Sequence, residues 1–230
     1  MNIPDEIIKL EEFDDEDIFD IVVKLEKSFG LQFKKDAFQH VKTFGDLCDV
    51  FENYLTYEHR DDCTKQQAFY RVRKAISITH LISENEIKPD TRLRDLFPRA
   101  NRRQTAKEFK RQMGTNIRIL TYPDWLAFTL GIGLLLSLVA FFFDWKIALS
   151  GTAFFILAFQ IAARLGKNLD LQTVRELTEK LSRENYVDVR RTKGTINRHE
   201  VSGIITDTFS KALSVDKKYL TREAAFGWAN

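Results

Sequence analysis

Apolar positions along this chain follow a helical period in some stretches and lose all period in others. Residues 14–31, DDEDIFDIVVKLEKSFGL, open on acids and continue with apolar residues at helical spacing as far as Gly30, which predicts an amphipathic helix ending there. Residues 126–143 (LAFTLGIGLLLSLVAFFF) and 147–163 (IALSGTAFFILAFQIAA) contain no ionisable side chain, whereas their flanks are densely charged. At helical rise the two runs are about 25 to 27 Å long, and with the interfacial Tyr122, Trp125 and Trp145 they match a hydrocarbon core of about 30 Å. Both therefore read as membrane spans; the competing reading is a buried hairpin in a soluble core. Asp144, Trp145 and Lys146 alone separate them, which predicts an antiparallel hairpin with a tight turn.

Basic residues set the expected orientation. Arg111 and Arg118 precede the first run and Arg164 and Lys167 follow the second, while the turn offers Lys146 beside Asp144, so both termini are expected in the cytosol. The N-terminal stretch is acidic rather than basic and the apolar runs lie mid-chain, so neither reads as a signal peptide. Within the runs, Ala127 and Gly131 stand four apart on one helix and Ala158 and Ala162 on the other, a spacing that predicts close backbone approach. Gln160 is the one amide there, and it reads either as a cross-hairpin hydrogen bond or as a snorkelling side chain.

A degenerate repeat runs through the polar regions. Residues 43–55 (TFGDLCDVFENYL) and 173–185 (TVRELTEKLSREN) each start with Thr, carry an acid three residues later as a capping box does, and repeat apolar residues at helical spacing. Phe44, Leu47, Val50 and Phe51 match Val174, Leu177 and Leu181 in pattern. Downstream of each comes a second amphipathic helix, QQAFYRVRKAISITHLI or RHEVSGIITDTFSKAL, then a polar loop and an apolar-acidic segment, IKPDTRLRDLFP or VDKKYLTREAAF. A repeat of this length indicates segments meant to pack in the same way.

These segments resemble acyl carrier proteins, which are small four-helix bundles. The stretch IKPDTRL at residues 87–93 is similar to the family's loop after helix one, and residues 14–55 resemble its second to fourth helices. The likeness covers residues 14–55, 68–114 and 171–226. It implies an all-α fold of carrier-like helical bundles with an inserted two-helix transmembrane hairpin. The segments divide into 1–60, 64–120 with its basic juxtamembrane part, the hairpin at 122–165, and 168–230, which packs with the preceding cytosolic regions. One arrangement restores the family's order. Residues 68–93, 102–113 and 171–185 form a central bundle interrupted by the hairpin, and residues 14–55 take their missing first helix from 201–213.

The family's chemistry does not carry over. Carrier proteins attach phosphopantetheine to a serine at the start of helix two; here Asp15 stands at that place, the central copy reads FPRANRRQTAKEF, and no Asp-Ser dipeptide occurs. Neither this cofactor nor any other is expected. The acids Asp14, Asp15, Glu16, Asp17 and Asp20 read either as helix capping, worth about 0.3 to 1 kcal/mol against the macrodipole, or as a docking face for a basic protein partner.

Composition changes little, with a net charge of +2 and 30% charged residues, but the distribution of charge matters. Arg99, Arg102, Arg103, Lys107, Lys110, Arg111 and Arg118 precede the first apolar run with Glu108 the one acid among them, a segment suited to anionic headgroups. Stacking aromatics do not interleave with these cations, so nucleic acid is not an expected partner. His40, His59, His80 and His199 are scattered without nucleophile spacing, and Asp61 and Asp62 beside Arg60 read as a solvated loop. His59 and Cys63 are four apart, as two ligands on a helix would be, but a zinc site needs more. Cys48 and Cys63 are expected to stay reduced in the cytosol.

The expectation is therefore a non-catalytic docking or scaffold protein anchored in the bilayer, in a setting such as a bacterial inner membrane. The alternative is an accessory protein that handles lipid or serves a fatty-acid or polyketide pathway. Transport is disfavoured, because two nearly apolar spans line no pathway.

Overall fold

The computed structural model describes residues 10–229 and is an all-α fold. Of the acidic start of the chain, Asp5 and Glu6 lie outside the described residues, and the acids from Glu11 onward lie within them. The helices are α1 (Asp15–Phe29), α2 (Phe44–Tyr54), α3 (Thr64–His80), α4 (Leu93–Leu96), α5 (Arg102–Met113), α6 (Asp124–Val139), α7 (Trp145–Leu165), α8 (Val174–Glu184), α9 (Tyr186–Val189) and α10 (Arg198–Leu213). Strands are two-residue pieces: β1 (Glu58–His59) pairs parallel with β4 (Thr195–Ile196), and β2 (Leu120–Thr121) pairs antiparallel with β3 (Asn168–Leu169). The chain divides into two compact units, one of residues 1–72 with 178–230 and the other of residues 73–177.

The first unit is organised by α1, α2 and α10. Helix α1 buries Ile18, Ile21, Val22, Leu25 and Phe29 at helical spacing. It ends at Gly30, whose φ of 62° lies in the left-handed region, with the Leu31 N–H donating to Glu26 O at 2.9 Å. Thr43 starts α2 with a complete capping box: its hydroxyl accepts from the Asp46 N–H and the Asp46 carboxylate accepts from the Thr43 N–H. Those backbone bonds, with that from Lys42 first, hold the Asp46 carboxyl below its ordinary value. Helix α10 packs its Val201, Ile204, Ile205 and Phe209 against both α1 and α2. Phe226 completes this core, fully buried and ring-stacked on Trp228.

The second unit is built on the same local plan in a different chain order. After α3, Leu81 takes φ of 55°, the Ser77 hydroxyl donates to Ile82 O, and the Ile82 N–H donates back to Ser77 O. After α10, Ser214 takes φ of 57° and Ser210 and Val215 exchange the same two bonds. Farther along, the Leu93 N–H donates to Gln172 O and the Val174 N–H to Thr91 O; in the first unit the Phe226 N–H donates to Lys42 O and the Phe44 N–H to Ala224 O. The register is constant, pairing 77 with 210, 82 with 215 and 93 with 226. Helices α1 and α5 both end on a left-handed glycine, Gly30 and Gly114. The two units thus repeat one helix-and-loop hydrogen-bonding plan. In the first unit the helix and loop follow their partner segment at 42–44 in the chain, and in the second they precede theirs at 172–174, with α6 and α7 lying between.

Helices α6 and α7, with the short 3-10 turn after α6, form a hairpin. Asp124–Phe142 and Trp145–Leu165 are long and apolar enough to cross a membrane, and 6% of each apolar window is buried, whereas a hairpin in a soluble core would be mostly buried. Asp144 caps α7 by accepting from the Lys146 N–H, so Lys146 lies in the helix and not in the turn. The close approach on α6 does not fall at Gly131, one of the small residues expected there, while Ala162 on α7 is buried. A Cβ on Gly131 would meet nothing, whereas one on Gly133 would strike the Phe155 ring and one on Gly151 would lie 2.9 Å from Ser137 Cβ. Gln160 is exposed and bonds to nothing in the hairpin among the described residues; the polar contact across it joins Ser137 Oγ and Thr152 Oγ1 at 3.1 Å. At the open end, β2 and β3 bring the segments before α6 and after α7 together so closely that a Cβ on Gly166 would overlap the Thr121 carbonyl.

Candidate docking and membrane-surface sites

The five acids assigned to docking all lie at or beyond the start of α1, and all are exposed. Asp14 occupies the N-cap position, but its side chain makes no capping bond, which removes the hydrogen-bonding part of the capping reading. Among the described residues none of Asp14, Asp15, Glu16, Asp17 and Asp20 forms an ion pair. Between them sit two apolar side chains facing solvent, Phe19 at 63% exposure and Val23 at 43%. They stand four apart, so they share a face of α1 and form an apolar ridge bordered by carboxylates. In sequence these two merge with the periodic apolar stripe; only their phase, off the Ile18, Ile21, Leu25 face, separates them from it.

The basic segment divides by role. Arg99, Arg103, Lys107, Lys110, Arg111 and Arg118 are exposed, and Arg118 alternates with the buried Ile117 and Ile119. Arg111 is tied to Glu108 at 2.8 Å; the Gln112 amide and then Arg111 hold the Glu108 carboxyl below its ordinary value. Arg102 is half-buried and works as a staple: its Nε donates to Phe97 O at 2.7 Å and its Nη1 to Lys167 O at 2.8 Å. This joins the loop carrying Arg99 to the chain leaving α7. Between α6 and α7 at this end lies an apolar groove of about 590 Å³, with Arg99 and Lys167 at its rim. Basic residues before α6 and after α7 were legible in the sequence; the groove between the helices was not.

His59 and Cys63 do not share a helix, since His59 lies in β1 and Cys63 precedes α3. The structure instead brings His59, Asp61 and His199 together, residues the sequence separates widely and the solvated-loop reading of Asp61 did not anticipate. Asp61 Oδ1 lies 3.1 Å from His59 Nε2 and 3.7 Å from His199 Nε2. Two imidazoles and a carboxylate are a metal-type donor set. Against it, His59 Nδ1 accepts the Arg198 N–H at 3.3 Å, which places the neutral ring's proton on Nε2, the atom that faces Asp61. All three side chains are exposed and meet around Asp61 Oδ1, and a metal on His59 Nε2 would set two N–H groups, His59 Nδ1 and Arg198 N, facing each other.

A second polar cluster lies buried in the first unit. Arg190, 2% exposed, donates to Thr195 Oγ1, Asp62 O, Thr64 Oγ1 and Arg60 O, and its guanidinium lies 5.9 Å from the Tyr186 ring centre. Tyr186 donates its hydroxyl to Glu200 at 2.9 Å, and burial pushes the phenol up to about 12. Thr64 N–H donates to the same Glu200 carboxylate. The network welds the chain after α2 to α9 and the start of α10. Cys48 is buried in the same unit, its thiol raised to about 11 by desolvation, and Cys63 is exposed.

Comparison with protein-family models, with curated proteins and with solved structures finds no match.

Proposed function

We propose that this chain is a membrane-anchored, non-catalytic docking or scaffold protein, with two helical bundles related to acyl carrier proteins that have lost the attachment serine. The observation that carries the docking role is the face of α1, where Phe19 and Val23 project among carboxylates left without ionic partners among the described residues. A partner with an apolar patch rimmed by Lys or Arg complements it, the acids steering association and the ring supplying the anchor. The carrier-like reading is supported by the repeated helix–loop–helix plan and by residues 87–93, IKPDTRL, lying in that loop. With Asp15 where the serine would stand, α1 keeps a recognition surface and not an attachment point. In this reading α6 and α7 span the bilayer and both termini face the cytosol, with the basic residues before α6 and after α7 at the headgroups.

Affinity capture from detergent extracts tests the docking role. Partners retained by the native chain should be lost when Asp15, Glu16, Asp17 and Asp20 become Asn or Gln, and when Phe19 becomes Ser; an unchanged partner set argues against this face. Incubation with a phosphopantetheinyl transferase should add no mass to the chain, and any addition overturns the pseudo-carrier reading.

A further inference from the structure

We infer that the groove between α6 and α7 is a binding site for one anionic phospholipid, with the phosphate held by Arg99 and Lys167 and an acyl chain laid along the hairpin. The inference rests on the reading of the hairpin as membrane-spanning. Its first support is shape. On α7 the groove is lined between Leu165 and Phe154, which stand eleven positions apart, or about 16 Å along the helix. That is close to half of a hydrocarbon core of about 30 Å, the depth of one leaflet. On α6 it is lined by Leu126 and Leu130, one turn apart, so both walls are apolar and parallel to the chain they would hold.

Its second support is charge. The groove's rim carries two cations, together with Tyr122 and Asn168 as hydrogen-bonding groups, and among the described residues no carboxylate lines it. Among the described residues neither Arg99 nor Lys167 has an ionic partner. The Arg102 bond to the Lys167 carbonyl ties the segment that follows Arg99 to the one that carries Lys167, and both cations line the same groove. A zwitterionic headgroup brings its own cation to this rim and gains little; an anionic one has its phosphate charge unopposed. Two basic residues, each worth roughly fivefold at an anionic surface, give a preference on the order of 25-fold at low salt.

Native mass spectrometry of the full chain in mild detergent, with equal amounts of phosphatidylglycerol and phosphatidylcholine, reads this directly. One phosphatidylglycerol per chain should be retained, about 25-fold over phosphatidylcholine. The R99Q/K167Q variant should bind both lipids alike, and A158W, which fills the groove and leaves both cations in place, should retain neither. Equal binding by the native chain, or a preference that survives either variant, overturns the inference. Flotation with liposomes separates this from failure of the membrane reading: a chain that does not float negates the spanning hairpin itself, whereas one that floats without headgroup preference negates the site alone.

Discussion

Replacing Arg190 by Met should cost the first unit about 3 kcal/mol. The guanidinium is almost fully buried and makes four hydrogen bonds, to two hydroxyls and two carbonyls. Each bond to a charged donor is worth about 1.5 to 3 kcal/mol, but the sum does not apply because some acceptors have other partners. Thr195 Oγ1 already donates to Thr192 O, and Asp62 O also accepts from Asn197 Nδ2. Methionine fills the volume and removes the cost of burying a charge, which lowers the penalty further. What remains is the loss at Thr64 Oγ1 and Arg60 O, about 1.5 kcal/mol each at the low end for bonds to a charged donor, together with the Tyr186 contact, hence about 3 kcal/mol. Trp228 is a local reporter, because its Nε1 donates to Val41 O and its ring stacks on Phe226. In a W125F/W145F background, its fluorescence during urea unfolding should show the midpoint falling by about 1.5 M for a slope of about 2 kcal/mol/M. Arg190→Lys, which keeps charge but not the fork, should fall between the two. A Met variant within about 0.5 M of the parent would refute the view that this network holds the chain after α2 to α10.

Ellman's reagent should label one thiol per native chain, Cys63, and two after unfolding, since Cys48 is buried and its thiol is raised to about 11; labelling of both in the native state contradicts the packing of α2. His80 lies against the Phe97 ring with Nε2 unpartnered, and burial holds its pKa below 6.5. The unfolded chain then binds more protons than the folded one between that lowered value and 6.5, so the stability of the second unit should fall as pH drops through this window. Hydrogen exchange in α5 at pH 7.5 and pH 5.5 measures it, and His80→Leu should flatten the difference. Gly166→Ala should destabilise the β2–β3 pairing by about 1 to 3 kcal/mol, because the new methyl meets main chain that cannot rotate away; faster tryptic cleavage after Arg164 or Lys167 is the expected readout.

Local signals in the sequence carried further than long-range ones. Gly30 as a stop and Thr43 with Asp46 as a capping box are encoded within a few residues, and the structure places both as read. The pairing of α10 with α1 and α2 was legible because a repeat in shifted order leaves one copy without a helix and another helix without a copy. Inside the hairpin, residue spacing missed the contact on α6: small residues at i and i+4 permit close approach on any face, and here Phe155 packs at Gly133, whereas Gly131 faces open space. The triad of His59, Asp61 and His199 and the burial of Arg190 had no local signature, since each depends on the chain after α2 meeting the start of α10.

The placement of Phe226 sets a schedule for the growing chain. Its side chain lies in one core with α1 and α2, and the segment carrying it bonds to Lys42 and Phe44. At about 5 to 20 residues per second, the ribosome reaches that segment on the order of tens of seconds after α2 has been made. During that interval the apolar hairpin emerges, while the faces of α1 and α2 that await α10 stay uncovered. Folding of the first unit is thereby a late event. Any factor that shields those faces during synthesis would meet the chain before its final packing exists.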